Sequence, residues 1–324
     1  MRAERHRRAG CRTQPGTVTM NMTTLLSQMF VLAILMGIGF LARRVQVMDA
    51  GFSRQLSDLL LHIAIPAMII ASVGKGDPFA DISDMLYVLG ICTLVNALMV
   101  PLAALCVRLL RIREDKATFR FMFALSNAGF MGLPVITSVF GARAGVYAAL
   151  YLLPNNFLMF GYGARLFQHD EPFSWKRLFN APVCASLIAC LICLTQVTLP
   201  AVIQECAELL GAMTTPSAML IIGAALADTK LGALRKERVL IPFTLLRMCL
   251  IPLCCFALLR LFVHDETLIQ VCVLMSAMPV ATNAVIFASS CGKDTGLCSR
   301  TVFVTTLLSV ISVPLLCALL FVRA

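Results

Sequence analysis

Residues 126–135, SNAGFMGLPV, put an asparagine, two glycines and a proline inside a stretch otherwise apolar enough to cross a membrane. Pro134 has no amide donor and its ring crowds the preceding turn, while Gly129 and Gly132 each weaken a helix by about 1 kcal/mol relative to alanine. In lipid, the backbone groups freed by such a break must face protein or a wet cavity. The stretch therefore predicts a helix broken inside the molecule. Its surroundings support that setting: the chain has 324 residues, 59% hydrophobic and 14% charged, with a mean hydropathy of +0.87, outside the range of soluble domains. An all-α polytopic membrane protein is expected, with no length left for a soluble catalytic domain and no enzyme activity.

Apolar windows predict ten transmembrane helices near residues 24–42, 54–73, 84–107, 117–138, 144–167, 180–199, 204–227, 239–263, 267–290 and 298–322. The odd-numbered loops between them carry seventeen Lys and Arg, the even-numbered loops only Lys75 and Arg143. By the positive-inside rule the odd loops face the cytoplasm of the inner (plasma) membrane and both termini face outward. Residues 1–23 form a basic leader that conflicts with this topology. It has no apolar core of its own, so it is not a signal peptide. A start at Met20 or Met22 would remove the conflict.

The prolines reveal a repeat. Pro66 and Pro216, Pro101 and Pro252, Pro134 and Pro279, and Pro154 and Pro314 recur in order at offsets of 145 to 160 residues. Five spans per half invert the second half relative to the first, as in many carriers. The expected organisation is a first repeat over 24–167, a short cytoplasmic loop over 168–179 and a second, inverted repeat over 180–324.

The counterpart of the opening stretch is SAMPVATNAVIFAS (276–289), where Pro279 precedes Thr282 and Asn283. If broken helices four and nine cross near the bilayer midplane, each following half-helix opens with unpaired amides at a positive dipole end. That arrangement suits a carboxylate. Asn127 and Asn283 would add amide donors, with Gly129, Gly132, Ala281 and Ala284 leaving space. Neither break contains Asp or Glu, which favours an anionic substrate over a cationic one.

These residues carry a resemblance. NAGFMGLP (127–134), MPVATNAVIFASSCGKD (278–294), TTLLSVISVP (305–314) and LHIAIPAMI (61–69) resemble bacterial members of the auxin efflux carrier family, within the bile acid, arsenite and auxin transporter group. The resemblance runs from about residue 25 to the end. It implies ten helices in two inverted five-helix repeats, a scaffold part and a transport part, and a crossover formed at Pro134 and Pro279. Asn127, Asn283, Asn155 and Asn156 would line the site. It also implies small carboxylates such as malate or malonate as substrates, and a homodimer.

Other residues are weighed against blander roles. Asp58 and His62 share a helical face and could relay a coupling H+ or Na+, or form a satisfied buried pair. Arg247 is expected to snorkel or to salt-bridge to the scaffold rather than meet substrate. Asp228 reads as a loop charge, and Tyr147, Tyr151 and Tyr162 as an interface belt or a pocket wall. Most of the fourteen cysteines sit in apolar runs as packing residues. No metal, cofactor or nucleic acid is expected. The functional expectation is a secondary carrier of small organic anions by alternating access. The alternatives are a sodium-coupled symporter of the bile-acid type and a membrane sensor that binds without transporting.

Overall fold

The computed structural model describes residues 22–74, 82–113, 115–167, 179–195, 197–228, 239–291 and 295–321. The basic leader to residue 21, the loop over 168–178 and the basic loop residues Lys75, Lys230, Arg235, Lys236, Arg238 and Lys293 lie outside them. The described residues are predominantly helical, with no strand. In chain order the helices are α1 (Met22–Arg44), α2 (Ala50–Val73), α3 (Ile82–Leu109), α4 (Lys116–Ala124), α5 (Ala128–Gly141), α6 (142–167), α7 (Ala181–Thr195), α8 (Ala201–Ala227), α9 (Leu240–Leu259), α10 (Glu266–Ala277), α11 (Asn283–Ser290) and α12 (Thr295–Phe321).

The apolar windows all carry helix. Among the described residues six helices are long and apolar enough to cross a membrane: α2, α3, α8, α9, and α1 and α12 over Leu26–Arg44 and Gly296–Phe321. Expected helix six is the shorter α7, and expected helices four and nine are each divided, into α4 with α5 and α10 with α11. Expected helix five, α6, follows α5 through a bend at Gly141, whose φ of 79° and ψ of −173° suit only a residue without a side chain.

Two groups of helices emerge from the packing. α1 lies along α8, and α2 rests on α7 and α8; α3, α4, α9 and α10 belong to the other group, and α5 and α6 touch both. The α1–α8 contact depends on two glycines. A Cβ on Gly39 would collide with the Leu220 carbonyl, and one on Gly223 with the Met36 carbonyl. Each helix thus seats its backbone against the other's glycine, the small-residue packing that membrane helices use where no hydrophobic effect drives association. Gln204 of α8 adds a polar tie, donating from Nε2 to the Ala71 carbonyl of α2 at 3.0 Å. At the ends of the pair Arg43 Nε bonds both oxygens of Asp228, at 2.9 and 3.1 Å, so Asp228 is a partner in an ion pair rather than a bare loop charge. Asp49 caps α2 by accepting from Phe52 N, and Asp265 caps α10 by accepting from Leu268 N.

Candidate functional site

The two divided helices meet where they are divided. Ser126 and Val280 form an isolated antiparallel bridge. Asn127 N donates to the Pro279 carbonyl at 2.8 Å, and Ala281 N to the Leu125 carbonyl at 3.3 Å. Each break thereby satisfies part of the other's exposed backbone. Val280 N is taken by Thr305 Oγ1 of α12 at 3.2 Å. The sequence did not single out Thr305, although it opens the TTLLSVISVP stretch.

The position of the first break differs from the expectation. The non-helical residues are Leu125–Asn127, and Pro134 stands inside α5, just past the five-residue π-helical turn Ala128–Gly132. There the ring removes one donor from a ladder that has already begun, and the residues that cross, Leu125–Asn127, precede it by seven to nine positions. Pro134 therefore takes no part in the contact, whereas Pro279 lends its carbonyl to it. Gly132 is a packing position: a Cβ there would press on Met275 Sδ and Met278 Cγ.

Beside the bridge lies a cavity of about 30 Å³, lined among others by Ser126, Asn127, Gly129, Asn155, Asn156 and Asn283. Five of the residues expected at the site converge here from α5, α6, α11 and the first break. Asn127 and Asn155 are each 2% exposed. Their Nδ2 groups are buried without a hydrogen-bond partner. Asn283 Nδ2 donates only to the Met159 thioether, at 2.8 Å, a weak acceptor. Most buried amides find a partner, so unused donors in one cavity are an energetic cost that folding alone does not explain.

Backbone donors divide unequally between the breaks. Met131 N and Gly132 N both reach the Asn127 carbonyl, which leaves the amides of Ala128, Gly129 and Phe130 without an acceptor among the described residues, as the first amides of a helix are. In the second break Val280, Ala281, Ala284 and Val285 all find acceptors. The expectation of free amides at both half-helices therefore holds at α5 and is largely met internally at α11.

A second cavity of about 200 Å³ adjoins the first, sharing Leu61, Phe130 and Asn283. It is lined by Ser57 and Asp58 of α2, by Ala218, Ile222 and neighbours of α8, by Thr282 and Asn283, and by Ser299 and Val302 of α12. It thus lies between the two helix groups. Asp58 and His62 do not form a side-chain pair: His62 Nδ1 donates to the Asp58 backbone carbonyl at 2.8 Å, and only Asp58 lines the cavity.

Arg247 neither snorkels nor meets a carboxylate. It is 1% exposed, and it donates from Nη1 to the Ser276 carbonyl at 2.7 Å and from Nε to the Met122 carbonyl at 3.3 Å. The Tyr147 hydroxyl donates to the Asp265 carboxylate at 2.9 Å and ties α6 to the start of α10. Tyr151 is fully buried in the core.

A family model described as membrane transport protein matches the chain twice, over residues 24–172 and 170–317. An uncharacterised transporter of Methanothermobacter thermautotrophicus is 25% identical over 304 residues, which cover 92% of this chain and 98% of the relative. An uncharacterised transporter of Methanocaldococcus jannaschii is 22% identical over 304 residues, covering 88% and 95%.

Proposed function

The chain belongs to the membrane transport protein family, that of the auxin efflux carriers, and from that premise we propose that it is a secondary carrier of small organic anions, binding a carboxylate such as malate or malonate at the crossing of its two divided helices. One observation carries the reading: two buried carboxamide donors, Asn127 Nδ2 and Asn155 Nδ2, stand unused around one cavity, beside the unpaired amides that open α5. Donors without acceptors await an acceptor-only group, and a carboxylate is one. The small cavity admits little more than a carboxylate oxygen or a water. The body of the substrate would extend into the adjoining 200 Å³ cavity.

Movement follows from where that second cavity lies. Sliding the group that carries the crossing past α1, α2, α7 and α8 would open the cavity to each side in turn, which is alternating access. In this reading the ten windows are ten membrane crossings in two inverted repeats, with the crossing near the midplane. The Lys and Arg excess sets the odd loops on the cytoplasmic side of the plasma membrane and both termini outside. Asp58, the carboxylate lining the larger cavity, is the coupling group, taking up H+ or Na+ as substrate binds; His62 is not part of it.

Purified protein in liposomes tests both statements. Radiolabelled malonate or malate is expected to enter saturably, and an imposed proton or sodium gradient to drive it above equilibrium. Asp58→Asn is expected to abolish the gradient-driven component and to leave exchange of internal for external substrate intact. Gradient-driven uptake that survives Asp58→Asn removes the coupling role, and ligand binding with no uptake at all favours a sensor.

A further inference from the structure

The crossing gathers helix ends of two kinds. α5 and α11 begin there, and α4 and α10 finish there. A helix start presents unpaired N–H groups and a partial positive charge, a helix finish unpaired carbonyls and a partial negative one. The cavity with the unused asparagine donors lies beside the starts. Arg247 occupies the finishes: Ser276 and Met122, whose carbonyls it holds, lie in the last turns of α10 and α4.

No ion pair to Arg247 forms among the described residues, whereas Arg43 pairs with Asp228 and Arg260 with Glu266. A guanidinium keeps its proton in any protein environment, and a buried charge ordinarily has a charged partner. Here two carbonyl ends serve instead, so the finishing side of the crossing keeps a positive charge that no carboxylate among the described residues pairs with directly. The charge enters from one half only. Asn96, at the matching place five residues before its proline, is buried and donates to the Cys92 carbonyl of its own helix at 2.9 Å.

We propose that Arg247 is the resident cation of the crossing: a positioning residue that clamps the finishing ends of α4 and α10 and sets the positive potential by which the starting side selects an anion. The proposal rests on the carrier reading above and adds the source of its charge preference. Asn127 lies five residues beyond Met122, two of them still in α4 and three outside any helix, so no more than about 13 Å away. One charge at about 8–13 Å, at an effective dielectric near 20, changes anion affinity by about 9–30-fold and opposes a cation by as much.

Two variants separate charge from bonding and shape. Arg247→Gln keeps an amide that can donate to one carbonyl but carries no charge; Arg247→Lys keeps the charge. Both are assayed for folding by size-exclusion chromatography and for the concentration dependence of malonate uptake into liposomes. Arg247→Gln is expected to raise KM by about 9–30-fold, and Arg247→Lys to stay close to the wild type. A folded Gln variant with the wild-type KM overturns the proposal. If the Gln protein does not fold, the Lys variant decides: a near-native KM supports the resident charge, and a KM raised as far as expected for Gln overturns it. Failure of both to fold makes the guanidinium a packing element and also overturns it. A wild type that takes up no carboxylate refutes the carrier reading, and this proposal with it; an active wild type with an unaffected Gln variant refutes this proposal alone.

Discussion

Asn127→Leu/Asn155→Leu is expected to lose carboxylate transport while melting at the wild-type temperature or above it. The two effects have one origin. Each unused Nδ2 is a buried donor whose desolvation costs about 1–3 kcal/mol when no partner is present, so an apolar side chain of similar size relieves a strain rather than breaking a bond. The same two donors would hold the substrate carboxylate, and hydrogen bonds to a charged group contribute about 1.5–3 kcal/mol each. Losing both corresponds to a fall on the order of a hundredfold or more in transport at low substrate concentration. Liposome uptake and thermal unfolding of the purified protein read the two effects separately. A double variant that transports normally would reduce both amides to packing.

Gly223→Leu and Gly39→Leu are expected to prevent the protein from assembling. At either position the first carbon of a side chain meets a backbone carbonyl of the partner helix, not the tip of a side chain that can swing aside. Overpacking of an ordinary core costs about 1–3 kcal/mol; here α1 would have to leave α8, and the expected loss is at least about 3 kcal/mol, at the upper end of that range. Gly37 is the control, because a Cβ there meets nothing within 4 Å. Gly37→Ala should be neutral or slightly stabilising, by up to about 1 kcal/mol, from helix propensity alone. The readout is the fraction of monodisperse protein after brief heating in detergent. Normal recovery of Gly223→Leu would contradict the packing described for α1 and α8.

These cases also show what a sequence discloses. The apolar windows disclose helices because a membrane demands continuous apolar runs, and the polar content of SNAGFMGLPV and SAMPVATNAV marks where the runs are interrupted. The exact point of interruption is harder to read. Proline can sit within a membrane helix without ending it, so Pro134 marked the neighbourhood of the first break while the break itself fell at Leu125–Asn127. Asn127, Asn155, Asn156 and Asn283 were legible because amides are conspicuous in an apolar run, and Gly129 because glycine weakens a helix. Arg247 was visible as a charge, but its partners are main-chain carbonyls, which leave no mark in a sequence. The spacing of Asp58 and His62 permitted a pair, and only the structure reveals that the imidazole turns to its own helix backbone instead. Gly39 and Gly223 act through an inter-helix contact that no local pattern encodes.

The most direct test of the anion site is the melting temperature of purified wild-type protein against rising concentrations of mono- and dicarboxylates, with Asn127→Leu/Asn155→Leu measured alongside. A ligand that binds only the folded state stabilises it by about 2.7 kcal/mol at a concentration one hundred times its Kd. The account predicts that malate, malonate or an aromatic acid raises the wild-type melting temperature progressively and leaves the double variant unmoved. No shift with any carboxylate, or the same shift in both proteins, would contradict it.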